Sequence, residues 1–296
     1  MKKIVIAPVF CESHLIKYQI PNIIDTINPD YIIYNEGLFP GATEGKQKLT
    51  PDWLEKYTLD GKRGFDYLEM VEIIKNAQEK YKNTQIILNE MDYSLGMNSI
   101  DCYIKSTTNF EDFGLKIKEG DCLFPFEGDV FHHQDSKDDI EAYIKQLKPN
   151  QGFRSNWLEF IGNQFYVEKK TLIKNNLSRK ICIKFGDMKF YEDILNRFIS
   201  QDYKNLLNPT DLITYHYAWL RPGKFLDLRC EQLVRRDGYW DDFRKAIDMA
   251  NRCEMDEINN RPSVSTSTDN ITAWIKKIEI EHPIHIREHE CFLKNI

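Results

Sequence analysis

KIVIAPV, residues 3–9, is a run of apolar and β-branched residues without the alternation of a half-exposed strand. Such a run is typical of a strand buried on both faces, as central strands of parallel sheets are. Next along the chain, residues 13–27 carry apolar side chains at helical spacing, and 30–36 (DYIIYNE) form a second strand pattern. The N-terminal region therefore predicts strand, helix and strand in succession.

The alternation of strand and helix patterns continues to about residue 150. The further predicted elements are a helix at 65–81, strands at 84–88 and 121–126, and a helix at 136–147. Alternation of this kind predicts an α/β fold with a mostly parallel sheet and helices on both of its faces.

The pattern changes after residue 150, where longer and more aromatic segments predict an α+β region with antiparallel strands. The predicted elements are strands at 153–167, 180–185 and 212–220, helices at 187–199 and 239–255, and an exposed loop at 261–270. A chain of 296 residues fits one domain. We expect this domain, 1–296, to consist of two halves, 1–150 and 151–296.

Composition excludes several classes of protein. The hydrophobic content of 42% supports a sizeable core, and the net charge of −6 excludes a global basic field for nucleic acid. The seven cysteines are scattered without a C-x-x-C pair, which argues against a zinc ribbon or a disulfide framework. No apolar run is long enough to cross a bilayer, and the one at the N-terminus is too short for a signal peptide. We therefore expect a cytoplasmic protein with reduced thiols and no membrane span.

Polar residues follow the predicted strands where each one ends. They are Glu12, Asn35 with Glu36, Asn89 with Glu90, and Glu127 with Asp129. In parallel α/β sheets, ligands bind outside the carboxyl ends of the strands. The coincidence of these residues at one predicted edge indicates a binding site there.

The stretch 120–135, GDCLFPFEGDVFHHQD, contains an acid pair that ends an apolar run. On a strand, Glu127 and Asp129 would point to the same face, where two carboxylates repel unless a cation lies between them. Mn²⁺ or Mg²⁺ prefers such oxygen ligands. The alternative is a strand end with two solvated acids. His132 and His133 would face opposite sides of a strand. Two alternatives remain open: one of them contacts substrate while the other packs, or both have a structural role.

DCLFPFEGDVF resembles the D-x-D region of GT-A-type nucleotide-sugar glycosyltransferases, in which the acids hold a divalent cation on the donor diphosphate. Here it has an E-G-D form, with Asp129 the better match for a ligand than the longer Glu127. IAPVFCES resembles the first strand and turn of the same Rossmann-type fold. The resemblance implies that a first group of residues lies near the nucleoside: Pro8, Cys11, Glu12, Asn35 and Glu36.

Two further segments extend the resemblance. DGKRG, residues 60–64, resembles the basic segment that reaches the diphosphate, which implies phosphate binding by Arg63. YHYAWLRP, residues 215–222, resembles the H-x-[SA]-W segment of such transferases. It implies a metal or diphosphate contact for His216, a sugar-pocket wall at Trp219 and charge neutralisation by Arg221. The alternatives are a solvated Arg63, a core His216 and a Trp219 that only packs.

The resemblance implies a metal-dependent hexosyl- or pentosyltransferase that moves a sugar from a nucleotide sugar, with UDP the commonest donor nucleotide, to an acceptor hydroxyl. Asp129 with Mn²⁺ or Mg²⁺ would stabilise the leaving diphosphate, and Glu90 and Asp92 are candidate bases. A glycan, a protein, a lipid-linked sugar and a modified nucleic-acid base all remain open as acceptors. The predicted lack of a membrane anchor points to a bacterial or viral enzyme.

Two rival functions stay open at this point. One is a metal-dependent phosphoesterase or nuclease that would use Glu127, Asp129, His132 and His216, although the D-x-H and G-N-H-[DE] clusters of two-metal hydrolases are missing from the sequence. The other is a noncatalytic binding module in which the acids cap loops.

Overall fold

The structure is a computed structural model that describes residues 1–37, 50–91, 110–160, 164–168, 178–186, 198, 203–207, 211–237 and 275–293. Its strands are β1 (Lys3–Val9), β2 (Tyr31–Glu36), β3 (Gln85–Glu90), β4 (Cys122–Pro125), β5 (Val130–His132), β6 (Gln151–Glu159), β7 (Tyr166–Glu168), β8 (Ser178–Lys184), β9 (Leu206–Leu207), β10 (Ile213–His216) and β11 (Ile275–Lys277). Its α-helices are α1 (Ser13–Ile27), α2 (Pro51–Tyr57), α3 (Tyr67–Lys80), α4 (Ser136–Gln146), α5 (Lys224–Asp237) and α6 (Glu290–Leu293).

The central sheet is mixed but mostly parallel, which confirms the predicted fold class. Its order is β3-β2-β1-β4-β8-β6-β10-β5, with β9 beside β6. Strands β3, β2, β1 and β4 are parallel to one another, while β8 and β5 run antiparallel to their neighbours. Strands from both halves of the chain therefore belong to the same sheet.

Strand β1 lies in the middle of the parallel part, and all seven of its residues are buried. Val5, Ala7 and Val9 pack on the face covered by α1, α3 and α4. Ile4 and Ile6 pack on the other face, which is covered by the 3₁₀ turn Phe110–Phe113 and by Phe198. The absence of polar alternation in KIVIAPV thus corresponds to a strand with apolar neighbours on both sides.

Two strands predicted in the second half are shorter than their sequence patterns. The pattern at 153–167 divides into β6 and β7, and β7 pairs with β11 in a separate two-stranded sheet. The segment predicted as a strand at 212–220 is a strand only over Ile213–His216. Both neighbours of β10 stop there, because His216 pairs with the last residue of β6, Glu159, and the first of β5, Val130. Among the described strands, none pairs with the chain beyond His216, and the chain turns after Tyr217, whose N–H donates to the Asp129 carbonyl.

Glu127 and Asp129 lie in a turn. This corrects the prediction that the strand at 121–126 continues into the acid pair. Strand β4 ends at Pro125, and the Val130 N–H donates to the Glu127 carbonyl oxygen at 3.3 Å. In sheet order β4 and β5 are four spacings apart, about 19 Å in a flat sheet. Residues 126–129 can span at most about 18 Å between them. The sheet therefore curls and brings this turn toward the ends of β6 and β10.

The predicted helix at 239–255 and loop at 261–270 lie outside the described residues, as does the segment predicted as a helix at 187–199 except for Phe198. Among the described helices, none is both long and apolar enough to span a membrane.

Candidate functional site

Three side chains at the carboxyl edge of the sheet bring their donor atoms within 4.8 Å of one another: Glu127, Asp129 and His216. The His216 Nε2 atom lies 3.2 Å from Asp129 Oδ1 and 3.7 Å from Glu127 Oε2. The backbone fixes this arrangement, because Val130 pairs with His216 and the Tyr217 N–H donates to the Asp129 carbonyl at 2.9 Å. The structure thus brings together the three residues predicted as metal ligands.

Helix α1 holds the acid-bearing turn through two buried polar side chains. Gln19 Nε2 donates to the carbonyl oxygens of Glu127 at 2.6 Å and Val130 at 2.9 Å. Asn22 exchanges two hydrogen bonds with the backbone of His132. Sequence reasoning missed both residues. The available signal was polarity on the apolar stripe of a helix, since both side chains are fully buried among isoleucines.

Gly128 allows the turn to pass close to the end of β1. A Cβ atom at this position would lie 2.9 Å from Glu12 Cγ and 3.1 Å from Glu12 Cβ. Contacts below 3.0 Å force one group to shift, and Glu12 is itself held by an ion pair. The glycine therefore permits a close approach between the turn and Glu12.

Arg221 joins Glu12 to Asp129 beneath the triad. Its Nη2 donates to Glu12 Oε1 at 2.8 Å and to Asp129 Oδ2 at 3.0 Å, and its Nε donates to the Ala218 carbonyl at 2.6 Å. Burial alone would raise the pKa of Asp129, but His216 and Arg221 hold it far below its usual range. For Glu12 burial outweighs Arg221 and raises the pKa to about 7. The guanidinium therefore faces carboxylates of the protein.

His216 lies between the acid pair, Glu127 and Asp129, and a third carboxylate, Glu159, at the end of β6. Its Nδ1 is 3.8 Å from Glu159 Oε1, which is longer than a hydrogen bond, and this oxygen accepts a 3.1 Å hydrogen bond from Trp219 Nε1. The ring packs on Trp157 with 4.2 Å between centroids. Burial lowers the pKa of His216, but Asp129 and Glu159 outweigh it, so the pKa is raised. Burial raises the pKa of Glu159, yet His216 and Trp219 bring it down to about 2.

Helix α5 covers this edge of the sheet from one side. Leu228 is buried with Phe10, Cys11 and the aromatic residues of α2. On the same helix, the Arg229 guanidinium lies 5.6 Å from the Trp219 ring centre, and its buried Nε has no hydrogen-bond partner in the described ranges of the chain. Burial and the charge of Arg221 lower the pKa of Arg229. The nearby carboxylates act in the opposite direction, but the net shift is downward. In the sequence, Arg229 belongs to a basic run with Arg221 and Lys224, for which a surface facing an anionic acceptor and an ordinary solvated surface are both open interpretations.

The donor set fits a divalent cation. Asp129 Oδ1 and His216 Nε2 are buried, and neither has a hydrogen-bond partner within the part of the chain that the structure describes, although the two atoms lie close to each other. Buried polar atoms left in this state are costly unless an unrecorded group satisfies them. Two carboxylate oxygens and an imidazole nitrogen suit Mn²⁺, and the oxygens suit Mg²⁺.

The residues expected near the nucleoside lie at the ends of β1 and β2 and are mostly covered. Glu36 accepts a 2.7 Å hydrogen bond from the Gly64 N–H, and Asn35 accepts one of 2.8 Å from Asn89 Nδ2. Burial raises the pKa of Glu36 to about 8. Pro8 pairs with Asn35 inside the sheet, and Cys11 is fully buried with a φ of 57°. Their contacts are therefore with protein, and Glu36 anchors the segment that carries Arg63.

Arg63 and Glu90 lie together, away from the triad. Arg63 binds Asp60 at 2.6 Å and Glu90 at 3.5 Å, and Glu90 accepts a hydrogen bond from the Tyr67 hydroxyl. Glu90 ends the edge strand β3, three strand spacings from β4, or about 14 Å. The structure does not bring these two residues to Asp129. Asp92 lies outside the described residues.

The two adjacent histidines have different surroundings. His132 is buried with its ring 5.4 Å from that of Phe126, and burial lowers its pKa to about 4. His133 is partly exposed and lies 3.3 Å from Asp135. His132 therefore packs in the core, and a substrate contact by the partly exposed His133 stays a prediction.

A cavity of about 630 Å³ opens at the opposite, amino edge of the parallel strands. Its lining includes Lys2, Tyr31, Tyr81 and Gln85. The triad lies at the other end of these strands, at the edge where α/β sheets bind their ligands. Its place at the carboxyl edge thus favours the triad over this cavity as the functional site.

No protein-family model matches the chain, and no curated protein matches it. Solved structures with a similar course of the chain include S. aureus TarS, with a TM-score of 0.39 and 12% identity over 85% of this chain and 43% of that one. A structure of residues 1–349 of TarS matches 90% of this chain and 76% of its own, with a TM-score of 0.37 and 12% identity. A nucleoside-diphosphate-sugar pyrophosphorylase from Vibrio cholerae RC9 matches 76% of this chain and 99% of its own, with a TM-score of 0.37 and 11% identity. This chain spans less than half of the longer TarS chain.

Proposed function

We propose that the chain is a metal-dependent glycosyltransferase that transfers a sugar from a nucleotide sugar, with UDP as the nucleotide, to an acceptor hydroxyl. The observation that carries the proposal is the group of Glu127, Asp129 and His216, in which Asp129 Oδ1 and His216 Nε2 are buried and have no hydrogen-bond partner among the described residues. Its place in an E-x-D turn after a buried parallel strand agrees with the resemblance to GT-A-type transferases.

In this proposal Asp129 and His216 hold Mn²⁺ or Mg²⁺, and Glu127 completes the set of ligands. The bound ion supplies positive charge against the leaving diphosphate. Asp129 can offer Oδ1 to the ion while Oδ2 stays on Arg221. We assign Arg221 to positioning Asp129, because its Nη2 is already bound to two carboxylates. Arg229, whose buried Nε is without a hydrogen-bond partner as far as the structure describes the chain, is the nearby guanidinium that we assign to the diphosphate.

The transfer breaks the bond between the anomeric carbon and the diphosphate oxygen and forms a bond from that carbon to the acceptor oxygen. The acceptor proton leaves to a base, and the nucleoside diphosphate carries away the bonding electrons. Glu90 is bound to Arg63 and Tyr67 about 14 Å across the sheet, so we assign it to holding that segment. Asp92 stays the candidate base from the sequence.

Access to the site is greatest at Glu127. Its side chain is 36% exposed, whereas those of Asp129 and His216 are 6% and 7% exposed. The donor would approach from the Glu127 side, with the strand ends of residues 1–150 toward the nucleotide and those of 151–296 toward the acceptor. Glu12, at 13% exposure, and Glu36, fully buried, would act behind this surface.

A direct test measures slow hydrolysis of UDP-sugars, and binding of UDP, with and without Mn²⁺. We expect Mn²⁺-dependent UDP binding in the wild type and a loss of at least about tenfold in Asp129→Asn, because a neutral amide is a poorer ligand than a carboxylate. Asp25→Asn is the matched control, since Asp25 is exposed and pairs with His285. Unfolding midpoints of all three proteins show whether the fold is retained.

The rival functions give different results in the same experiment. Cleavage of a generic phosphodiester without UDP binding would support a phosphoesterase or nuclease. If neither UDP binding nor cleavage occurs, the chain would be a noncatalytic binding module. UDP affinity that is unchanged in Asp129→Asn with Mn²⁺ present would contradict the proposed site.

A further inference from the structure

Glu159 lies behind His216, on the side of the ring away from the acid pair. Its Oε1 is 3.8 Å from His216 Nδ1, while His216 Nε2 faces Asp129 Oδ1 at 3.2 Å. The ring therefore separates Glu159 from the predicted ion position. Sequence reasoning gave no role to Glu159, which belongs to no recognised motif.

The position of Glu159 is itself fixed. It ends β6 directly beside His216, its partner in the parallel register with β10. Trp219 Nε1 donates to Glu159 Oε1 at 3.1 Å, and the His216 ring packs on Trp157. The carboxylate and the imidazole are thus held in one relative orientation by neighbouring strands and two indoles.

A carboxylate next to one ring nitrogen favours a proton on that nitrogen and leaves the other one to bind a metal. On this geometry we infer that Glu159 is a positioning residue that holds His216 with Nδ1 protonated and Nε2 directed to the cation. The inference rests on the proposed metal site. It extends that site from three ligands to a chain of contacts that runs from Trp219 through Glu159 to His216.

The test uses Mn²⁺ alone as the probe, titrated into the folded protein and followed by electron paramagnetic resonance of the free ion. We expect Glu159→Gln to weaken Mn²⁺ binding about 10- to 100-fold, the range seen when such outer partners of histidine ligands are changed. Glu141→Gln is the matched control, because Glu141 pairs with Lys3 at the opposite edge of the sheet. This control should bind Mn²⁺ as the wild type does.

A double-mutant cycle separates positioning from a general charge effect. If Glu159 acts through His216, Glu159→Gln should change Mn²⁺ affinity by less than about twofold in a His216→Ala background. A long-range Coulomb effect, or direct ligation by Glu159, would persist there and would overturn the inference. Trp219→Phe is the second variant, which keeps the charge but removes the indole donor. It should weaken Mn²⁺ binding in the wild-type background but not in His216→Ala.

The failures of the two proposals are distinguishable. Wild-type protein that binds Mn²⁺, with Glu159→Gln and Trp219→Phe of equal affinity, would overturn the role of Glu159 and leave the proposed function standing. A wild type that binds no Mn²⁺ would overturn both, because the inference requires an ion at His216. If Glu159→Gln does not fold, Trp219→Phe alone decides the outcome.

Discussion

Glu36 is a buried carboxyl whose protonation should affect the stability of the fold. Burial raises its pKa from 4.5 to about 8, and its Oε1 accepts a hydrogen bond from the Gly64 N–H. Between these two pH values the folded chain keeps a proton that the unfolded chain has lost. Because the folded state then binds more protons, stability falls as pH rises through this range.

We predict that Glu36→Gln removes this part of the pH dependence, since the amide is neutral throughout and can still accept from Gly64. Urea unfolding at several pH values between 4.5 and 8 measures the effect. The variant should gain stability relative to wild type as pH rises. Glu79→Gln, at an exposed position on α3, serves as the control. Parallel pH profiles for wild type and Glu36→Gln would refute a raised pKa at this residue.

At the level of residues, the sequence could predict the members of the site that belong to motifs. Asp129 and Glu127 are visible in the E-x-D pattern, and His216 in the H-x-A-W segment, and the structure brings them together. Glu159 could not be predicted, because its role depends on the register between β6 and β10. The sequence suggested a diphosphate contact for Arg221, but it could not show that Arg221 Nη2 donates hydrogen bonds to both Glu12 and Asp129.

Helix α1 connects the core of the molecule to the candidate site. Its isoleucines pack on β1 and β2, and its buried Gln19 reaches the turn that bears the acids. The Tyr34 hydroxyl donates to Gln19 Oε1 at 3.0 Å, which fixes the orientation of the amide. The position of Glu127 and Asp129 is therefore set by an element more than a hundred residues away in the sequence.

We predict that Gln19→Leu destabilises the fold by about 1–3 kcal/mol, because the carbonyls of Glu127 and Val130 and the buried Tyr34 hydroxyl all lose their hydrogen bond to Gln19. It should also weaken Mn²⁺ binding, since the turn is no longer held. Gln78→Leu is the matched control, as Gln78 Nε2 donates to the Ile86 carbonyl away from the site. Denaturant unfolding and Mn²⁺ titration measure the two effects. Full Mn²⁺ affinity in a folded Gln19→Leu variant would show that the turn does not depend on α1.

At the level of elements, the sequence predicted the N-terminal strands and helices well, because each of them carries its own periodic pattern. The strand at 212–220 was predicted too long, since the apolar residues after His216 are buried in a turn and not in a ladder. Tyr217, Ala218 and Leu220 are all buried, so hydrophobicity alone gave no sign of the strand's end. The end is set by the neighbouring strands β5 and β6.

At the scale of the whole molecule, the curl of the central sheet brings the residues of the candidate site together. In sequence order the acid pair follows β4, whereas His216 ends β10, three positions along the sheet. The short connection 126–129 closes this distance and carries Glu127 and Asp129 to His216. This closure could not be predicted from strand patterns, because it depends on the sheet order after β4.

The central claim is that one divalent cation binds between Asp129, Glu127 and His216 and holds a nucleoside diphosphate. An anomalous difference map at the manganese edge, from crystals grown with UDP and Mn²⁺, tests this claim most directly. We predict a single peak at about 2–2.5 Å from Asp129 Oδ1 and His216 Nε2, with diphosphate density on its open side. Diphosphate density elsewhere on the molecule, with no manganese peak at these residues, would contradict it.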